Sequence, residues 1–74
     1  MYNVSKWQVK IIINSYLENR SKEMFDELNI TERQDGTSCL EGCLEDISSF
    51  YGLVLKIRDC LLDVKELYCK KVTI

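Results

Sequence analysis

At 74 residues the chain has room for one domain, spanning 1–74, with only a small core. Apolar residues make up 46% and charged residues 30%, a balance that excludes a disordered polar tail and fits a folded unit. The net charge of −2 gives no global reason to expect nucleic acid as a partner, and the absence of histidine removes the commonest general base and a common metal ligand.

Val9 to Ile13 is apolar apart from Lys10, too short for a secretory signal core and without a small-residue cleavage site behind it. Phe50 to Leu62 is interrupted by Lys56, Arg58 and Asp59, so no transmembrane segment is expected. A cytoplasmic location follows, with Cys39, Cys43, Cys60 and Cys69 held as reduced thiols. There is no proline, which favours long uninterrupted helices.

Met1 to Val4 reads as a lead-in, after which Asn3 or Ser5 can cap a helix, and Ser5 with Gln8 has capping-box spacing. Trp7, Val9, Ile11, Ile12, Ile13, Tyr16 and Leu17 supply apolar groups. The isoleucine run also suits a strand, but Lys10, Asn14 and Glu18 recur four residues apart as a polar stripe, which favours a helix. Glu18 to Glu23 is polar throughout: either a solvated stretch of the same helix, or a break with Ser21 capping a second segment. Met24, Phe25, Leu28 and Ile30 then restore an apolar face. Thr31 to Ser38 reads as a loop, with Gly36 able to take a positive φ.

The most regular stretch follows. Leu40, Ile47, Val54, Leu61 and Tyr68 recur every seven residues, with Cys43, Phe50, Ile57 and Val64 three places behind them. That spacing predicts a helix from about Cys39 to about Lys70, roughly 45–50 Å long. Ser38 and Glu41 would form its capping box, and Lys70 and Lys71 would complement its C-terminal dipole. Leu44, Tyr51, Leu53, Cys60 and Leu67 widen the apolar face, and Leu55, Leu62 and Cys69 extend it, beyond what one partner helix covers. Val72 to Ile74 reads as a frayed end.

The predicted fold is therefore all-α: an antiparallel helical hairpin, its first arm whole or divided, pairing with a second copy into a homodimeric four-helix bundle. Pairing the long helices about Val54 would set Cys39 opposite Cys69 of the other copy. The hairpin would also be dipolar, with Lys6, Lys10, Lys65, Lys70 and Lys71 at its open end and the acidic residues towards the turn.

No Gly-rich phosphate loop, serine elbow or dinucleotide fingerprint occurs, and carboxylates at helical spacing, such as Asp59 with Asp63, lie on the expected solvated strip. Neither a cofactor nor a small-molecule substrate is expected. Cys39 and Cys43 lack the spacing of zinc and redox motifs, which favours buried packing. The expected function is a non-catalytic protein–protein interaction module, regulatory or adaptor-like, acting by helix packing with itself or with another helical protein. Its expected interaction surface is Leu40, Ile47, Phe50, Leu53, Val54, Ile57, Leu61, Val64, Leu67 and Tyr68. One alternative is a nucleic-acid or membrane-surface binder using Lys6, Lys10, Lys70 and Lys71, with Trp7 and Tyr68 as stacking groups. A second is a cysteine-based metal or redox protein.

Overall fold

Strand β1 (Ser5–Ile13) lies inside a four-stranded antiparallel sheet, in a computed structural model that describes residues 5–73. Its side chains alternate between faces as a strand requires. Val9, Ile11 and Ile13 enter the main core with Trp7 packed against it, while Lys6, Gln8, Lys10 and Ile12 take the other face. The β-branched isoleucines suit this pleated, buried setting. The polar stripe that predicted a helix has a spacing of four, which is also a multiple of the strand period of two. Ser5 and Gln8 accordingly lie in a strand and form no capping box. Asn3, the other expected cap, lies outside the described residues.

The polar run supplies α1 (Asn19–Met24), a helix of six residues, and Phe25 and Leu28 behind it are buried in the core. The first arm is thus neither one helix nor two, but a strand followed by a short helix. β2 (Asn29–Glu32) and β3 (Ser38–Leu44) then form an antiparallel hairpin. The expected turn is present, but it joins strands. Asp35 Oδ1 accepts from the Thr37 amide and hydroxyl, Gly36 takes φ +87°, and the Arg33 amide donates to the Thr37 carbonyl at 2.8 Å. Ser38 caps nothing. It is buried at the start of β3, its hydroxyl donating to the Ser15 carbonyl at 2.7 Å.

Only the middle of the predicted long helix is helical. α2 (Ile47–Asp59) starts at Asp46, whose carboxylate accepts from the Ser48 amide at 2.7 Å. It stops in a six-residue reversal: the Leu62 amide donates to the Ile57 carbonyl, the Leu61 amide to the Arg58 carbonyl, and Leu61 takes φ +55°. This is the Schellman arrangement, normally closed by glycine. Here a leucine closes it, so no glycine or asparagine marks the stop in the sequence. The chain then enters β4 (Val64–Thr73). Val72 and Thr73 are in that strand, and Ile74 lies outside the described residues.

The heptad is a coincidence of three elements. Leu40 faces the core from a strand, Ile47, Phe50, Val54 and Ile57 belong to a real helix, and Leu61 stands in the reversal with 91% of its surface exposed. A register shift opposite Ile12 and Ile13 gives β4 an extra residue, so Val64 pairs with Ile13 and Glu66 with Ile12. That bulge lets Val64 and Leu67 share a face although they are three apart, which imitates a helical step. The all-α hairpin, the coiled-coil seam and the four-helix bundle about Val54 are therefore corrected, and with them the apposition of Cys39 and Cys69.

The sheet order is β2-β3-β1-β4. β3 and β4 both run antiparallel to β1, so α2 crosses between two parallel strands separated by β1; α1 likewise links β1 to β2 across β3. This is the split βαβ arrangement of ferredoxin-like folds. Both crossovers contribute to one core of Val9, Ile11, Ile13, Leu17, Phe25, Leu28, Leu40, Leu44, Leu53 and Ile57. Among the described residues the opposite face of the sheet carries no helix, and Ile12 and Cys39 are the two residues buried on it.

Candidate interaction surface

The two edges of the sheet differ. β2 has four residues and β4 has ten, paired with β1 on one side only. An unpaired strand edge presents a row of free backbone donors and acceptors. The start of β4 is pinned, with the Asn14 amide donating to the Asp63 carbonyl at 2.9 Å and the Asn14 side chain to the Asp63 carboxylate at 3.1 Å. Beyond the bulge at Lys65 the strand is exposed on both faces. Leu67 on the helix side and Tyr68 on the other keep 49% and 47% of their surface in solvent.

The cause is the seat of α2. Lys56 donates to the Met24 carbonyl at 2.9 Å and pairs with Glu27 at 3.5 Å, which ties this flank of the helix to the segment before β2. Leu53 and Ile57 fill the core beneath, and the helix lies nearest β3. At 100° per residue, Val54 falls on the flank opposite Lys56, towards β4. Val54 and Tyr51 are exposed there, Leu55 is exposed on the side away from the core, and among the described residues β4 has no helix over Leu67.

The residues expected to form one interaction surface are divided by this fold. Leu40, Leu53 and Ile57 are buried in the core; Ile47, Phe50 and Val64 are half-buried; Val54, Leu61, Leu67 and Tyr68 are exposed. The last group, with Leu61 set apart in its turn, is the most accessible to a partner. Missing from that set are Glu66 and Lys70, which share the uncovered face with Tyr68 between them. Among the described residues neither takes part in an ion pair, whereas Lys22–Glu32, Lys56–Glu27 and Arg58–Asp59 do. The period-two alternation from Glu66 to Thr73 was the signal for them, hidden under the heptad.

The uncovered face gathers Lys6, Gln8 and Lys10 from β1, Glu41 and Cys43 from β3, and Glu66, Tyr68 and Lys70 from β4. Lys10, Glu66 and Tyr68 line a shallow depression of about 290 Å³. Lys71 points to the other face, opposite Trp7, which packs against the core. The expected basic cluster is therefore brought together only in part.

A model of the family described as a domain of unknown function, DUF8691, matches residues 8–68. The chain belongs to the DUF8691 family. The match takes in β1 from Gln8, both helices, β2, β3 and the first half of β4. No curated protein and no solved structure matches the chain.

The thiols of this family member are dispersed. Cys39 is buried beside Ile12, and burial, with the Glu41 carboxylate at 3.3 Å, pushes its thiol above the ordinary value. Burial also raises Cys69. Cys60 rests against the Met24 sulfur at 3.2 Å, and Cys43 is exposed. No cluster of three or more metal-ligating side chains occurs among the described residues. Nor is any helix among them long and apolar enough to cross a membrane.

Proposed function

We propose that the protein is a non-catalytic interaction module, regulatory or adaptor-like, that binds a protein partner along the free edge of β4. One observation supports this above the rest: a ten-residue edge strand left exposed on both faces, with Leu67 and Tyr68 half in solvent. Adding a strand to such an edge gains main-chain hydrogen bonds for affinity and alternate side chains for specificity. Strand pairing replaces the expected helix packing as the mode of recognition. The four thiols are free, which fits a reducing compartment, and a cytoplasmic location is proposed on that ground. A photo-reactive residue placed at Leu67 or Lys71 should cross-link to a protein partner in cells. Adducts only from a control position at Gln34, in the β2–β3 turn, would contradict the reading.

A second reading follows from Lys6, Lys10, Lys70 and Tyr68 sharing the uncovered face. Such a face could bind single-stranded nucleic acid by charge and stacking. Glu41 and Glu66 interleave with the lysines and oppose it. Its mark is oligonucleotide binding that weakens steeply with salt and is lost in a Lys6→Glu, Lys10→Glu variant.

A further inference from the structure

We infer that the partner on the β4 edge is a second copy of this chain, paired β4 to β4 about a two-fold axis through Tyr68. The inference rests on the edge-binding reading and adds the identity and register of the partner. Two antiparallel copies of one strand meet across a two-fold axis perpendicular to the sheet, so residue and partner residue lie on the same face. Charge then selects the register. With Tyr68 opposite Tyr68, Glu66 of each copy stands opposite Lys70 of the other, and these two side chains have no ion-pair partner within their own chain among the described residues.

Neighbouring registers lose this complementarity. Centring on Glu66 or on Lys70 sets like charges face to face, while centring on Leu67 or on Cys69 sets Glu66 opposite Tyr68 or Val72. Opposite charges and aromatic pairs directly across a ladder favour pairing, and like charges oppose it. The helix-side face agrees, because Leu67 of each copy would lie opposite Cys69 of the other. The axis keeps both α2 helices on the same side of the joined sheet. Their exposed Val54 flanks then lie on the same side of the joined sheet as the half-exposed Leu67 side chains. The register leaves one unfavourable pair, Lys71 opposite Lys65 of the second copy. It falls at the bulge, where the ladder ends. Lysines and a bulge are common guards against indiscriminate edge pairing, and here they leave one register open.

Light scattering behind a sizing column should find a dimer at tens of micromolar. Glu66→Lys and Lys70→Glu should each weaken dimerisation at least several-fold, because each faces like charges twice across the axis. Mixing the two variants should restore the dimer as a heterodimer, since both cross-strand pairs become complementary again. Both positions are exposed, and circular dichroism matching the wild type shows that each variant is folded. Where either is not, Glu66→Gln and Lys70→Gln replace them, and each should weaken the dimer to a smaller extent. A wild-type monomer overturns the inference, as do single variants that dimerise unchanged or a mixture that stays monomeric. A monomer whose Leu67 or Lys71 still cross-links to another protein in cells leaves the edge-binding reading standing; loss of both results removes both.

Discussion

Leu28 occupies the space beside Gly42 in which a side chain would begin: a Cβ on Gly42 would meet Leu28 Cδ2 at 2.8 Å. Gly42 sits on β3 opposite Val9, on the core side of the sheet, and Leu28 is buried. The backbone of that turn leaves room for a Cβ, with Glu27 O at 3.5 Å and Leu28 Cα at 3.6 Å, so it is the end of the Leu28 side chain that a side chain at Gly42 would displace.

Gly42→Ala should therefore push the Leu28 side chain off its rotamer and cost about 0.5–1.5 kcal/mol. At this size that is a fall in Tm of roughly 4–8 °C per kcal/mol. Leu28→Val should recover part of the loss, so that the double variant is more stable than the two single effects added together. Thermal unfolding of the four proteins checks this, and additive losses would place the strain elsewhere.

The end of α2 separates the sheet from a helical seam. Leu61→Gly should leave stability unchanged or raise it by up to about 1 kcal/mol, because glycine accepts the left-handed backbone that leucine adopts at φ +55°. The Leu61 side chain is 91% exposed, so its removal forfeits almost no burial. Ile57→Ala, four residues earlier, removes a core group and should cost about 2–5 kcal/mol. In a continuous heptad both changes would be damaging. Urea unfolding of the pair distinguishes the two structures.

Those positions also show which parts of the fold could be read from the sequence. The turn at Gly36 was legible because Asp35 and glycine leave a local signature of turn chemistry. The amphipathic middle, Phe50 to Ile57, was legible as a helix. Its C-terminal stop was not, since a leucine closes it, and its start at Asp46 was masked by the apolar repeat running through it. β1 was misread because Lys10 and Asn14 satisfy both periods. β4 was misread because its bulge inserts a three-residue step between Val64 and Leu67. Of the candidate surface, Val54, Leu67 and Tyr68 could be named from the sequence, but that Glu66 and Lys70 share a face with Tyr68 needs the strand.

Acid should loosen the turns on either side of β3, at Asp35 before it and at Asp46 after it. The Thr37 hydroxyl and amide hold the Asp35 carboxyl below its ordinary value of 3.8, and Ser48 does the same for Asp46. The folded protein thus releases these protons more readily than the unfolded chain. Their stabilisation is complete well above 3.8 and is lost as the pH falls through that value towards the folded one. Asp46→Asn should lower Tm at neutral pH and flatten the acid limb of the stability profile. A variant whose Tm falls as steeply with acid as the wild type would show that Asp46 is not part of that limb.

Thiol reactivity should rank by burial. Cys43 is exposed and should react first with a neutral-pH alkylating reagent. Cys39, buried and with its thiol raised by burial and by Glu41, should react last and only on opening of the fold. Mass mapping of partially labelled protein reads the order directly, and early modification of Cys39 would contradict its burial beside Ile12.

The edge of β4 is tested most directly by amide hydrogen exchange followed residue by residue at low and high protein concentration. In an antiparallel ladder, alternate amides of β4 point to β1 and the others point outwards. The inward set should be protected at every concentration. The outward set between Glu66 and Lys70 should exchange freely when dilute and become protected as concentration rises. Outward amides that exchange rapidly and equally at both concentrations would contradict pairing of this edge with a second copy.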